Sequence, residues 1–168
     1  MIKELEKVMI GDVEYYYDLE KEYIKDGHAY CKVCHERKDG KALEFFGKQM
    51  KFKTACKCDR DREAKEKERQ EQLEIERLKN NCFTSIIQWA YTFENYQGKE
   101  NQSLIIAKNF VKDYELMRKE NIGLLFYGSV GSGKTYLACS IANALIEQYQ
   151  ISVKIRNFSQ IINELQKG

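Results

Sequence analysis

The sequence predicts three consecutive pieces of different class: a small α+β unit built around a cysteine cluster over residues 1–58, a charged helical linker over 59–80, and the leading part of an α/β domain with parallel strands over 81–168. Three observations carry this expectation. Four cysteines fall in two close pairs, Cys31 with Cys34 and Cys56 with Cys58. The run "DRDREAKEKERQEQLEIERLK", residues 59–79, has fifteen charged residues in twenty-one. The octapeptide "GSVGSGKT", Gly128 to Thr135, stands between an apolar run that reads as a strand and an amphipathic run that reads as a helix.

Composition sets the frame. The 168 residues, 43% of them hydrophobic, suffice for one ordinary domain or two small ones, and 28 Lys and Arg against 26 Asp and Glu give no general case for a nucleic-acid partner. The opening "MIKELEKVMIGDVEYYY" has no apolar run of signal-peptide length, and no later segment approaches the ~20 apolar residues a membrane span requires. The expectation is a cytoplasmic protein without a membrane partner. In a reducing compartment grouped cysteines point to a metal rather than to disulfides.

Taken in order, "YIKDGHAYC" predicts two short strands about an Asp26-Gly27 turn, and residues 31–58 show no helical period. Residues 59–79 predict a solvated helix with pairs such as Asp61–Lys65 and Glu63–Lys67, on which only Leu73, Ile75 and Leu78 could meet an apolar surface. Composition changes near Asn81. "NQSLIIAKNFVKDYELMRKEN" has helical spacing at Leu104, Ala107, Phe110 or Val111, Tyr114 and Met117. "IGLLFYG" then reads as a buried strand, "YLACSIANALIEQY" as an amphipathic helix, "ISVKIR" as a second strand and "SQIINELQK" as a helix started by Ser159. Alternating strand and helix predicts a parallel sheet.

"CKVCH" reads three ways by itself: a c-type haem attachment sequence, half of a zinc site, or a dithiol redox pair. The second cysteine pair, with twenty-one residues between it and the first, favours a tetrahedral zinc site on Cys31, Cys34, Cys56 and Cys58, holding a zinc ribbon with little core of its own. Unliganded thiols and a redox dithiol are the competing readings. His35 either lies beside the site or replaces one cysteine, while the isolated Cys82 and Cys139 read as core residues. Between Lys32 and Arg60 nine Lys or Arg face four Asp or Glu, an excess of +5 that a Zn(Cys)4 centre of charge −2 would lower to +3. Such a surface could meet single-stranded DNA or an acidic protein, with Phe45, Phe46 and Phe52 stacking or packing. Equally, the lysines are solvated and the phenylalanines fill a core.

The octapeptide matches Gly-x-x-x-x-Gly-Lys-Thr, a P-loop. Gly128, Gly131 and Gly133 free the backbone so that the N–H groups across Ser129, Val130 and Ser132 can turn toward phosphate oxygens. Lys134 would reach the β- and γ-phosphates of ATP, and the Thr135 hydroxyl would bind Mg2+. The bland alternative is a glycine-rich turn that binds nothing. Hydrolysis is left open, because after Thr135 the only acids are Glu147 and Glu164, in expected helices, and the only arginine is Arg156. With no Walker B strand, the chain reads as the front portion of a longer protein.

The succession "YCKVC", "CKCDR", a charged helix, "RLKNNCF", "YTFENY" and "GLLFYGSVGSGKT" resembles bacterial and phage replicative helicase loaders, the DnaC-like branch of the AAA+ ATPases, from about Gly27 to the final residue. The resemblance implies that residues 81–168 begin an AAA+ domain that binds ATP and single-stranded DNA. It also implies that the front domain grips a hexameric replicative helicase for loading onto DNA. It places "TFENY" near the adenine, which would make Phe93 and Tyr96 base contacts or core residues. Two other functions compete: a zinc-stabilised adaptor with an idle or nucleotide-sensing P-loop, and a helper ATPase of transposition, against which the cysteine-rich front end argues.

Overall fold

The computed structural model describes residues 5–10, 13–45, 47–99 and 101–166. The chain divides into two compact units, Met1–Arg69 and Gln70–Gly168.

The first unit is α+β with a mixed sheet. Six strands, β1 (Glu6–Ile10), β2 (Val13–Tyr17), β3 (Glu22–Lys25), β4 (His28–Cys31), β5 (Asp39–Phe45) and β6 (Lys48–Lys53), precede the helix α1 (Lys57–Cys82), which continues into the second unit. One sheet has the order β1-β2-β6-β5, with β2 and β6 parallel and the outer pairs antiparallel. Strands β3 and β4 form the expected hairpin. Asp26 and Gly27 have φ of 51° and 68°, the pair of left-handed residues a two-residue type I′ turn needs to match the twist of its strands.

The apolar core of this unit is small: Ile10, Tyr15 and Ala29, with Val8, Tyr17 and Ile24 against them. Charge fills what the core lacks. The buried carboxylate of Asp39 accepts from Ala29 N–H (3.0 Å), Arg37 Nε (3.0 Å) and Lys51 Nζ (3.2 Å), and pairs with His28 Nδ1 at 3.1 Å. Buried Glu22 accepts from Tyr15 Oη at 3.1 Å and Lys53 Nζ at 2.7 Å, and buried Lys38 reaches Asp59 at 2.7 Å. These partners engage part of the basic excess expected between Lys32 and Arg60. Arg37, Lys38, Lys51 and Lys53 are anchored on acids of the unit's interior, and Arg60 on Glu36 at 3.2 Å. Phe52 is 43% exposed, the Phe45 backbone lies in β5, and Phe46 lies outside the described residues.

Burial would raise the Asp39 carboxyl pKa, but the bonds from Arg37, His28, the Ala29 amide and Lys51 outweigh it and hold it well below the usual carboxylate range. Its contribution to stability is therefore complete at neutral pH, starts to fade as pH falls through about 4, and is gone below the folded-state value. Asp39→Asn leaves Arg37 and Lys51 facing a neutral group and should destabilise the unit by about 3–5 kcal/mol. Urea unfolding at pH 7 and pH 3 measures this: the deficit of the variant should shrink at the lower pH.

The second unit is helical. Its elements are the end of α1, a 3-10 turn over Ile86–Ala90, α2 (Gln102–Lys112), α3 (Tyr114–Lys119), α4 (Lys134–Tyr149) and α5 (Phe158–Leu165). α4 is central. Its Cys139, Ala142 and Ile146 pack with Leu78, Cys82 and Phe83; Leu137 packs with Leu104 and Ala107; Ala144 and Leu145 pack with Val111. The spacing expected of residues 101–121 holds for Leu104, Ala107 and Val111, although the helix breaks at Asp113. Cys82 and Cys139 are core residues as expected, and burial pushes the Cys82 thiol up to about 11. In α1, Leu78 is buried and Ile75 packs beside it, but Leu73 is exposed. The ion pairs on this helix include Glu66–Arg69 and Glu74–Arg77, one residue closer in spacing than the pairs expected from the sequence.

Two expectations are overturned. Residues 122–128 and 151–156 form no strand, and no parallel sheet exists among the described residues of 81–168; among the described residues the one parallel pairing is β2 with β6. An apolar run becomes a strand only when a neighbour takes its N–H and C=O groups. Here neither run pairs with another, and Leu125 and Tyr127 stand 87% and 89% exposed rather than buried. The last helix starts two residues earlier than Ser159 would set it. Asn157 caps α5, accepting from Gln160 N–H at 2.8 Å while the Gln160 side chain returns a bond to the Asn157 amide.

Candidate functional site

Two sites take shape, one in each unit. In the first, β4 delivers Cys31 at its end, the turn that follows delivers Cys34, and the entry to α1 delivers Cys56 and Cys58. Between Cys56 and Cys58 the chain passes into the first turn of a helix, which brings the sulfurs of a one-residue spacing to the same point. All four sulfurs lie within 4.8 Å of one another, and no other His, Cys, Asp or Glu among the described residues joins the group. A tetrahedral zinc with Zn–S bonds of ~2.3 Å would separate its sulfurs by about 3.8 Å, so the cage has the right size. The cluster could hold a metal ion such as zinc.

The four sulfurs have unlike surroundings, and Cys56 Sγ donates to Asp59 Oδ2 at 3.3 Å. Val33 N–H points at Cys31 Sγ at 3.5 Å, and Cys31 N–H and His35 N–H close the turn on Glu36 O and Cys31 O. The backbone N–H of Glu36 draws the Cys34 thiol down to about 6, whereas burial pushes Cys56 up to about 12. Four thiols so close cannot all ionise unaided, and a divalent cation at their centre is the ion that resolves the conflict. His35 stands apart: its Nδ1 is 3.2 Å from Tyr23 Oη and its ring meets the Tyr23 ring edge-on.

In the second unit, residues 128–135 form a turn into α4. Gly128, Gly131 and Gly133 have φ of 140°, 82° and 84°, values that side chains strain against; Gly128 and Gly133 are the two glycines of the motif, and Gly131 lies between them. A Cβ on Gly128 would also press on Ser132 Oγ at 3.3 Å. Ser129 O accepts from Ser132 N–H at 3.4 Å. Lys134 folds back over the loop and donates to Gly128 O (3.1 Å), Ser129 O (2.7 Å) and Ser132 Oγ (3.1 Å). Val130 and Thr135 are exposed, Val130 entirely. The loop therefore opens a sixteen-residue helix whose positive end faces it, with one ammonium already seated among its carbonyls.

Beside the loop lies an open cavity of about 700 Å³ lined by Tyr91, Glu94, Asn95, Tyr96, Gly133 and Tyr136. Tyr91 stacks on Tyr136 with centroids 4.7 Å apart, and Tyr96 meets Tyr136 edge-on at 5.4 Å. Both aromatic candidates pack against the Leu104–Ala107–Leu137 cluster, Phe93 also against Val111, and Tyr96 in addition lines the cavity. Tyr91 and Tyr136 were missed by the sequence reading. The available signal was the place of Tyr136 directly after the Lys-Thr pair, on the first turn of the helix. The acids and arginine after the loop are engaged elsewhere: Glu147 with Lys79 at 2.5 Å, and Glu164 with Arg156 at 2.8 Å.

Comparison with protein-family models, with curated proteins and with solved structures finds no match for this chain. No described helix is long and apolar enough to cross a membrane.

Proposed function

We propose that this chain binds Mg·ATP at Gly128–Thr135 and zinc at its four cysteines, and that it serves DNA replication by gripping a hexameric helicase and helping to load it onto single-stranded DNA. The observation that supports the nucleotide site is the coincidence of three left-handed glycines, a lysine and a helix start in one loop. A turn that only changed chain direction would need neither the lysine nor the threonine that follows it. A tetrathiolate cage of zinc size supports the metal reading. The helicase and DNA roles rest on the order of segments that resembles the DnaC-like loaders. In this reading the metal does no chemistry on a substrate; it fixes the first unit as a gripping surface. The cytoplasm is the compartment that keeps the thiols reduced for it.

A second reading has one specific observation in its favour. Because Lys134 is already bonded to three loop oxygens, the loop could be an idle turn in a zinc-stabilised adaptor. Titration calorimetry of the intact chain with Mg·ATP separates the two: a saturable one-to-one isotherm is expected, and a flat trace at millimolar nucleotide would leave the adaptor. For the partner, co-elution with a hexameric replicative helicase is expected, and separate elution would remove the loading role while leaving the nucleotide site intact.

A further inference from the structure

Resting on the reading of the four cysteines as a zinc cage, we infer that the cage is also an oxidation site: hydrogen peroxide joins its two outer sulfurs, Cys34 and Cys58, in a disulfide that ejects the metal, and reduction restores the cage. The cage has an inner and an outer edge. Cys31 and Cys56 are 5% and 1% exposed, and each inner sulfur has a partner besides the other thiols, Cys31 Sγ the Val33 N–H at 3.5 Å and Cys56 Sγ the Asp59 carboxylate at 3.3 Å. Cys34 and Cys58 are partly exposed, so they are the sulfurs that a small dissolved oxidant meets. They also meet each other: the two thiols are in hydrogen-bond contact, and the amides of Glu36 and Cys58 face the Cys34 sulfur.

Exposure and a neighbouring thiol decide where a peroxide acts on cysteine. All four sulfurs already lie within 4.8 Å of one another, so the unit need not refold for Cys34 and Cys58 to close to the ~2.05 Å of a disulfide. The Cys34 thiolate attacks a peroxide oxygen; the O–O bond breaks and hydroxide leaves. The Cys58 thiolate then attacks the Cys34 sulfur; the S–O bond breaks, the S–S bond forms and a second hydroxide leaves. Each sulfur gives up one electron and the two peroxide oxygens take them. The two thiolates that remain cannot complete the four-coordinate shell of Zn2+, which is released unchanged. The new bond joins the turn after β4 to the first turn of α1, the segments that the cage joins, so oxidation keeps a covalent link that chelation removes. Disulfides of reducing compartments are of this transient, redox-sensing kind.

The test treats the zinc-loaded full chain with millimolar hydrogen peroxide, follows zinc release with a colorimetric chelator, then blocks the free thiols and maps the disulfide. Trypsin separates the four cysteines, because Lys32 lies between Cys31 and Cys34 and Lys57 between Cys56 and Cys58. The expected product is Val33–Arg37 joined to Cys58–Arg60, with loss of about one zinc per chain and of two of the six thiols, both reversed by dithiothreitol and added zinc. Any other pairing overturns the inference, including one within either close pair, as does zinc that stays bound or a sulfinic acid in place of the disulfide. Absence of zinc from chain purified with zinc available would instead remove the metal reading, and the inference with it.

Discussion

Stripping the metal from the cysteine cluster is expected to unfold the first unit while the helices of the second persist. The size of the effect follows from how little else holds that unit together. Among the described residues its buried apolar cluster is Ile10, Tyr15 and Ala29, and single hydrophobic cores in domains of this size rarely supply more than about 3–5 kcal/mol. A structural zinc in a small domain contributes an apparent ~10–16 kcal/mol at neutral pH. The cluster also joins the β3–β4 hairpin to the start of α1, segments that share few other contacts. Chelation, or Cys56→Ser with Cys58→Ser, should therefore abolish hydrogen-exchange protection of the β3–β4 amides while those of α4 stay protected. Elemental analysis should return about one zinc per chain. Protection that survives complete metal removal would show the four thiols to be ordinary core residues.

Replacing Lys134 by Ala should lower Mg·ATP affinity by between about tenfold and 150-fold, the range of about 1.5–3 kcal/mol for a hydrogen bond to a charged group. The ammonium now bonded to Gly128 O, Ser129 O and Ser132 Oγ is the only side-chain cation the loop itself carries, and phosphate oxygens would take it over. Folding should change little, because Lys134 belongs to none of the buried clusters around α4. Lys134→Arg should not restore binding: a planar guanidinium needs more room than a loop closed this tightly leaves. Unchanged affinity in Lys134→Ala would mean that nucleotide, if bound, is held elsewhere.

Much of this was readable from residue types where a short segment decides its own conformation. Asp26-Gly27 dictates a hairpin turn because both positions must be left-handed, and the three glycines of the loop sit where the backbone needs them. Leu104, Ala107 and Val111 declare one face of α2. The cysteine pairs gave the cage, though not the way a helix start lets a one-residue spacing close it. What stayed hidden depended on partners far along the chain. Strands β5 and β6 show little alternation of apolar and polar residues, because Asp39 and Lys51 point inward to a buried charge network and Lys53, itself exposed, reaches back to buried Glu22. Residues 122–128 show the converse: an apolar run in the composition of a strand remains unpaired because pairing is a property of two segments, not one. For α5, the start lay in an Asn-x-x-Gln box over residues 157–160 that outranks the serine two positions later.

Asn143 carries one more consequence. Its amide nitrogen joins the carbonyls of Gln88 and Tyr91 to the middle of α4, the helix whose first turn carries Lys134, while its own oxygen is left without a partner. The aromatic floor and the glycine-rich bend are in this way bolted to a single rod. Under the proposed nucleotide reading, the ligand would meet a ready-made vice rather than two jaws that must swing shut, and its capture should proceed in one kinetic phase whose rate rises in proportion to concentration.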